Sequence, residues 1–252
     1  MGDYIISGST NAGTKTPVNQ DSMFAGTTQT AKGEAVFAIV CDGMGGTQAG
    51  ELASASIIDA FRKWFYAKCD LESAWVPESF EVHSEWTDII CFCNRKIIEY
   101  GENNGITLGS TIVVLLICSD NILLMNVGDS RAYRVSDMVE KLSHDHSVVG
   151  MDIEKGLISE EEAKRDTRNN ILTQCVGIRS EIDPYFMSFP YRPGCYVLCS
   201  DGFYNKISND EIMQFLNREM DQAGLELSLN YLTELDRSRG EKDDISAIAV
   251  IV

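Results

Sequence analysis

The sequence predicts an α+β fold of antiparallel sheets with helices packed against their outer faces, and three observations lead there. Apolar residues recur at helical spacing in two long stretches. Elsewhere they alternate or run together over strand lengths between turn residues, and the two kinds of stretch are segregated along the chain. Strict strand–helix alternation would instead mark a parallel sheet. The chain has 252 residues, 44% hydrophobic and 23% charged, a composition that supports a sizeable core. No internal repeat, low-complexity tract or Pro/Gly/Ser linker divides it, so residues 1–252 read as a single domain.

Taken in order, the continuous apolar run 36–41 is the first buried strand expected. Ala53, Ile57, Ala60, Phe61, Trp64 and Phe65 then recur at helical spacing, and Trp86, Ile89, Ile90, Cys93, Ile97 and Ile98 repeat the pattern. Both read as long helices whose aromatic faces are core and not a cofactor box. The period then changes: 110–118, 122–127, 131–135 and 139–142 are short runs separated by turn residues, the pattern of an antiparallel meander. The polar stretch 143–170, with a short helix suggested by Ser159 and Glu162, reads as a mobile surface excursion beside the core. A buried strand over 196–200 follows. Ser208 and Glu211 form a capping-box pair opening a helix with Ile212, Phe215, Leu216 and Met220 on one face. A further helix and a closing strand, 245–252, complete the chain.

Asp and Glu total 38 against 21 Lys and Arg, a formal charge of −17 that repels nucleic acid and anionic lipid, and no basic patch overrides it. The apolar run 112–118 is far shorter than the roughly 20 residues of a membrane span. The N-terminus lacks the charged and apolar regions of a signal peptide, and Ile6 stands where a myristoylation signal needs Ser or Thr. The eight cysteines lie mostly in apolar runs without a CxxC pair, and His83, His144 and His146 are too scattered for a zinc site. Buried reduced thiols in a cytoplasmic, monomeric protein with no nucleic-acid or membrane partner are therefore expected.

The chemistry is expected at strand ends. The run 36–41 leads into Asp42-Gly43, 125–127 into Gly128-Asp129, 196–200 into Asp201-Gly202, and Asp243 precedes the last strand. A single Asp-Gly after a strand is usually a turn. As a set, carboxylates delivered to one rim repel strongly unless a cation compensates them, and hard oxygen ligands select Mg²⁺ or Mn²⁺. The segment Asp42-Gly43-Met44-Gly45-Gly46 supplies glycines where backbone must approach something closely, and it lacks the glycine register and Lys of nucleotide-binding loops. Cys195 and Cys199 lack the phosphate-cradling loop of a cysteine phosphatase and read as strand-core residues.

Along the chain stand Asn19-Gln20-Asp21, Asp42-Gly43-Met44-Gly45-Gly46, Gly109-Ser110-Thr111, Val127-Gly128-Asp129-Ser130-Arg131-Ala132-Tyr133, Asp145-His146-Ser147, Leu198-Cys199-Ser200-Asp201-Gly202 and Asp243-Asp244-Ile245-Ser246. Each block alone is weak, but the ordered set is specific. Over nearly its whole length the chain resembles a bacterial member of the metal-dependent protein phosphatase family (PPM), the type 2C serine/threonine phosphatases. The resemblance implies a central antiparallel β-sandwich flanked by pairs of α-helices, with a flap at about 143–170 near the active-site edge. It also implies a centre of two Mn²⁺ or Mg²⁺ ions at which a metal-bridging water or hydroxide attacks phosphoserine and phosphothreonine esters on substrates of a serine/threonine kinase.

By the same resemblance Asp42 bridges both ions, the Gly43 carbonyl binds one, Asp201 and Asp243 complete the far side, and Asp21 contributes directly or through water. Asp129 would help Asp201 hold a third ion. The catalytic set is thus Asp42, Asp201 and Asp243, acting through metals. Three departures bear on this. Thr16 replaces an Arg that grips substrate phosphate, leaving Lys15 as a point-charge candidate for substrate binding. Met44 stands where eukaryotic relatives have a proposed acid. Asp244 replaces an Asn, either adding charge near the metals or pointing to solvent. Arg131 is expected to orient loops, and the segment around His144, Asp145 and His146 to be solvated. The competing reading is a non-catalytic phosphoprotein-binding module on the same fold.

Overall fold

The structure is a computed structural model, and it describes residues 4–45, 49–70, 74–118, 120–163 and 165–252. Two sheets, antiparallel at every pairing, stack face to face. The five-stranded sheet runs β1 (Ile5–Asn11), β11 (Ile245–Ile251), β10 (Cys195–Cys199), β7 (Arg131–Val135), β8 (Val139–Lys141). The six-stranded sheet runs β2 (Asp21–Thr30), β3 (Gly33–Met44), β5 (Ile112–Ile117), β6 (Asn121–Val127), β9 (Tyr185–Pro190), with β4 (Gly109–Ser110) paired to the end of β3. Helices α1 (Gly50–Cys69) and α2 (Ser79–Asn104) cover the six-stranded sheet, while α6 (Asn209–Phe215) and α7 (Gln222–Ser238) cover the other.

This layering explains why the core strands are apolar without alternation. A strand turns successive side chains to opposite faces, so one buried on both sides needs apolar residues at every position. In β3, Val36, Ala38 and Val40 face the other sheet and meet Leu198, Ile248 and Val250. The intervening Phe37, Ile39 and Cys41 face α1 and α2. Phe37 stacks on Phe65 at 5.2 Å and tilts against Trp64 at 5.6 Å, placing the helical aromatics in the core as their spacing predicts.

The expected meander is split. β5 and β6 pair in one sheet and β7 and β8 in the other, so the chain changes sheets at 128–130. Gly128 makes that turn at φ 102°, where a Cβ would come within 2.6 Å of Thr111 Cγ2. The crossover leaves Asp129 between the sheets at the rim. Beside the core, Ser147 Oγ accepts from Gly150 N (3.1 Å) to cap α3 (Val148–Glu154), and Ser159 and Glu162 exchange bonds at α4 (Glu160–Ala163). All eight cysteines are free. Among the described residues no helix is long and apolar enough to cross a membrane.

Candidate metal centre

Strand order brings the ends of β3, β6 and β10 and the starts of β2 and β11 to one rim of the sandwich. Asp42 lies inside the end of β3, directly opposite Asp21, the first residue of β2. Asp201 opens α5 (Asp201–Tyr204) just after β10, and Asp243 lies two residues before β11. Asp42, Asp129, Asp201 and Asp243 line one cleft of about 370 Å³, with Gly43, Met44, Lys15 and Thr16 on its walls and Asn170 and Leu172 on the flap side. Asp21 sits behind this cleft, lining a separate cavity with Thr10 and Ser22. Its Oδ2 accepts from Ser200 Oγ at 2.8 Å.

The supports of Asp42 are backbone-level. Thr111 N donates to Asp42 O (2.9 Å), and Asp42 N donates to Thr111 Oγ1 (3.0 Å). Gly43 donates to Gln20 O at 3.1 Å, and a Cβ there would fall 2.3 Å from Gly50 O and 2.4 Å from Gln20 O. The close approach expected of this glycine segment is therefore to the start of α1. Gly46 lies outside the described residues.

Charge is packed at this rim beyond what protein partners neutralise. Burial, then the charge of Asp21, pushes the Asp42 carboxyl far above the usual carboxylate range. Burial raises Asp129 to about 8, with Asp201 adding to it, and raises Asp21 to about 7 against the hydroxyls of Ser246 and Ser200. Asp201 rises to about 6 through burial and Asp243, while Lys15 opposes. Asp21 Oδ1 and Asp201 Oδ1 are buried without a hydrogen-bond partner. Orphaned carboxylate oxygens beside carboxyls that cannot all ionise together fit a cation-binding site. Among the described residues no three His, Cys, Asp or Glu side chains close round one point. Carboxylates facing a shared cleft suit hydrated ions held by one or two carboxylates each, the habit of Mg²⁺.

Several expectations change. Asp244 does not point to solvent: it is buried, with Oδ1 accepting from Gly13 N (2.6 Å) and Oδ2 from Gln20 N (2.8 Å), and of the two alternatives it is the added charge that holds, since Asp244 helps to raise the Asp21 carboxyl. Nor is Asp145 solvated. It is buried and takes three bonds from Arg131, the shortest 2.7 Å, plus one from Lys141 at 3.2 Å. Burial alone would raise its carboxyl, but those two cations hold it below the usual range. The Arg131 guanidinium lies 3.7 Å from the Tyr204 ring centroid, and Tyr204 OH donates to Asp129 O at 3.0 Å. Arg131 thus orients the Asp129 loop as expected. His146 Nδ1 accepts from Gly128 N (3.1 Å), and burial lowers that imidazole to about 4.

Lys15 is the cationic side chain, among the described residues, that lines the cleft, and it is ion-paired with Asp243. Thr16 Oγ1 donates to Val18 O at 2.7 Å. Sequence reasoning named no flap residue, yet Asn170 and Leu172 reach the cleft. The flap was expected near this edge, and Asn170 ends it while Leu172 lies just beyond its expected bounds.

The sequence profile described as Protein phosphatase 2C matches residues 8–231. Protein phosphatase PhpP of Streptococcus pneumoniae is 31% identical over 192 residues, which cover 73% of this chain and 74% of that protein. Among solved structures, the S. agalactiae serine/threonine phosphatase aligns with TM-score 0.81 at 31% identity over 99% of each chain. The catalytic domain of the serine threonine protein phosphatase PstP, in complex with 2 manganese ions, aligns with TM-score 0.79 at 22% identity, over 98% of this chain and 97% of that one. With profile, relatives, fold and rim chemistry in agreement, the chain belongs to the protein phosphatase 2C family.

Proposed function

We propose that this chain, acting as one catalytic domain, is a metal-dependent serine/threonine phosphatase that hydrolyses phosphoserine and phosphothreonine esters on cytoplasmic protein substrates of a serine/threonine kinase. The observation that carries the reading is the convergence of Asp42, Asp129, Asp201 and Asp243 on one cleft with Asp21 directly behind. That much buried carboxylate calls for bound cations. In this reading Asp42, the Gly43 carbonyl and Asp21 hold ions from the six-stranded sheet, Asp201 and Asp243 from the other, and Asp129 with Asp201 serves a third. Two Mn²⁺ or Mg²⁺ ions would supply the Lewis acidity that ionises water near neutral pH and offsets phosphoryl charge.

The chain's own residues prepare the site. Thr111 fixes the Asp42 backbone in both directions, and Ser200 fixes Asp21. Lys15 brings a positive charge to the lip where a phosphoryl oxygen would lie. No protein nucleophile is assigned: Cys195 and Cys199 are fully buried in β10, and burial pushes the Cys195 thiol up to about 12. Release of phosphate from a phosphothreonine peptide is expected to require Mn²⁺, to stop with EDTA, and to be lost in a folded Asp42→Asn variant. Peptide capture without hydrolysis by Mn²⁺-loaded protein would overturn the reading in favour of a binding module.

A further inference from the structure

The segment bearing Asp243 joins the end of α7 to β11 and rests against the segment after β1 that bears Lys15. Thr14 N and Lys15 N both donate to Lys242 O, at 2.8 and 3.2 Å. Gly13 N donates to Asp244 Oδ1, and a Cβ on Gly13 would fall 2.4 Å from Lys242 O. Within the second segment, Glu241 Oε1 accepts from Lys242 N (2.7 Å) and Asp243 N (2.9 Å). One side chain spans the whole arrangement. Arg237, in the last turn of α7, donates through Nη1 to Glu241 O and Asp243 O, both at 2.9 Å. Through Nη2 it donates to Asn11 O (3.1 Å) and Ala12 O (2.8 Å).

We propose that Arg237 is a positioning residue that locks the Asp243 and Lys15 segments into one unit, setting how Asp243 receives an ion and how Lys15 meets substrate phosphate. Arg237 does not line the cleft, so its action runs through the backbone it holds. A planar guanidinium presents its donors in a fixed fork, which matches four carbonyls drawn from two segments; a lysine ammonium has three donors on a flexible stem and cannot span them. A neighbour provides the contrast. Arg239 bonds Lys206 O (2.6 Å) and Glu211, tying α7 to the start of α6 and not to the cleft.

This inference rests on the metal-dependent reading, and calorimetric titration of Mn²⁺ alone separates the two. Wild type, Arg237→Ala, Arg237→Lys and Arg239→Ala are compared after circular dichroism confirms their folding. Arg237→Ala is expected to weaken Mn²⁺ binding about 10- to 100-fold, the usual cost of removing a group that orients a ligand. Its KM for a phosphothreonine peptide should rise with it, and Arg239→Ala should bind Mn²⁺ as wild type does. Should Arg237→Ala not fold, Arg237→Lys carries the same expectation of weakened binding. Wild-type Mn²⁺ affinity in the folded Arg237 variants, or equal weakening in Arg239→Ala, would overturn the proposal. Wild type that binds no Mn²⁺ would overturn the metal-dependent reading and this inference with it.

Discussion

Without metal, the stability of this protein should fall as pH rises from about 5 to about 8, the reverse of the acid sensitivity that salt-bridged carboxylates confer. Burial and mutual repulsion push Asp201 up to about 6, Asp21 to about 7 and Asp129 to about 8. An unfolded chain releases these protons near pH 4, at roughly the model-peptide value. Between those limits these carboxyls bind more protons in the folded state than in the unfolded one, so each step up in pH subtracts stability through them; His146, lowered to about 4, opposes them by a single proton below about pH 6.5 and is outweighed. One proton retained by the cleft carboxyls across about three pH units costs about 4 kcal/mol, at about 1.4 kcal/mol per unit. For a chain of this size that lowers Tm by about 12 °C. Asp236, on the buried face of α7 and raised to about 8, pulls the same way, so an Asp236→Asn background removes its contribution from the comparison. Thermal melts of EDTA-treated protein across this range should decline steeply. Melts with Mn²⁺ at about pH 8 should recover, since a ligand at about 100 times its Kd adds about 2.7 kcal/mol. A metal-free Tm that stays level or rises from about pH 5 to about pH 8 would mean that the cleft carboxyls do not retain protons in the folded state.

Lys15→Gln should raise the KM for a phosphothreonine peptide about tenfold while Mn²⁺ still binds, because a charged hydrogen bond to phosphate is lost; an unchanged KM in steady-state kinetics removes Lys15 from substrate binding. Asp244→Ala takes the carboxylate acceptor from the part-buried amide of Gly13 and the buried amide of Gln20 and should cost about 3 kcal/mol, or roughly 9 °C in Tm. A melt within about a degree of wild type would show that those amides find other acceptors. Gly43→Ala drives a Cβ into Gly50 O and Gln20 O and should cost about 3 kcal/mol in urea unfolding. A wild-type midpoint would mean that the start of α1 yields freely.

What the sequence made legible follows burial. Strands covered on both faces, such as β3 and β11, are continuous apolar runs, and the helices over them carry Phe61, Trp64 and Trp86 at helical spacing. β1, β2 and β9 went unread because they are edge strands, half exposed and mixed in composition. α3 was hidden by β-branched Val148 and Val149 and by Gly150, all poor helix formers; Gly150 stands there because a Cβ would fall 2.7 Å from Asp145 O. The aspartates of the cleft were legible as strand-end residues. The roles of Asp145 and Asp244 were not, since their partners Arg131, Gly13 and Gln20 are distant in sequence and only the folded chain brings them together.

Anomalous diffraction at the manganese edge, from crystals of the protein grown with Mn²⁺, would show directly whether the aspartates of this cleft hold metal. Two strong peaks are expected in the cleft lined by Asp42, Asp201 and Asp243. Manganese bound only outside this cleft, or none bound at all, would contradict that expectation.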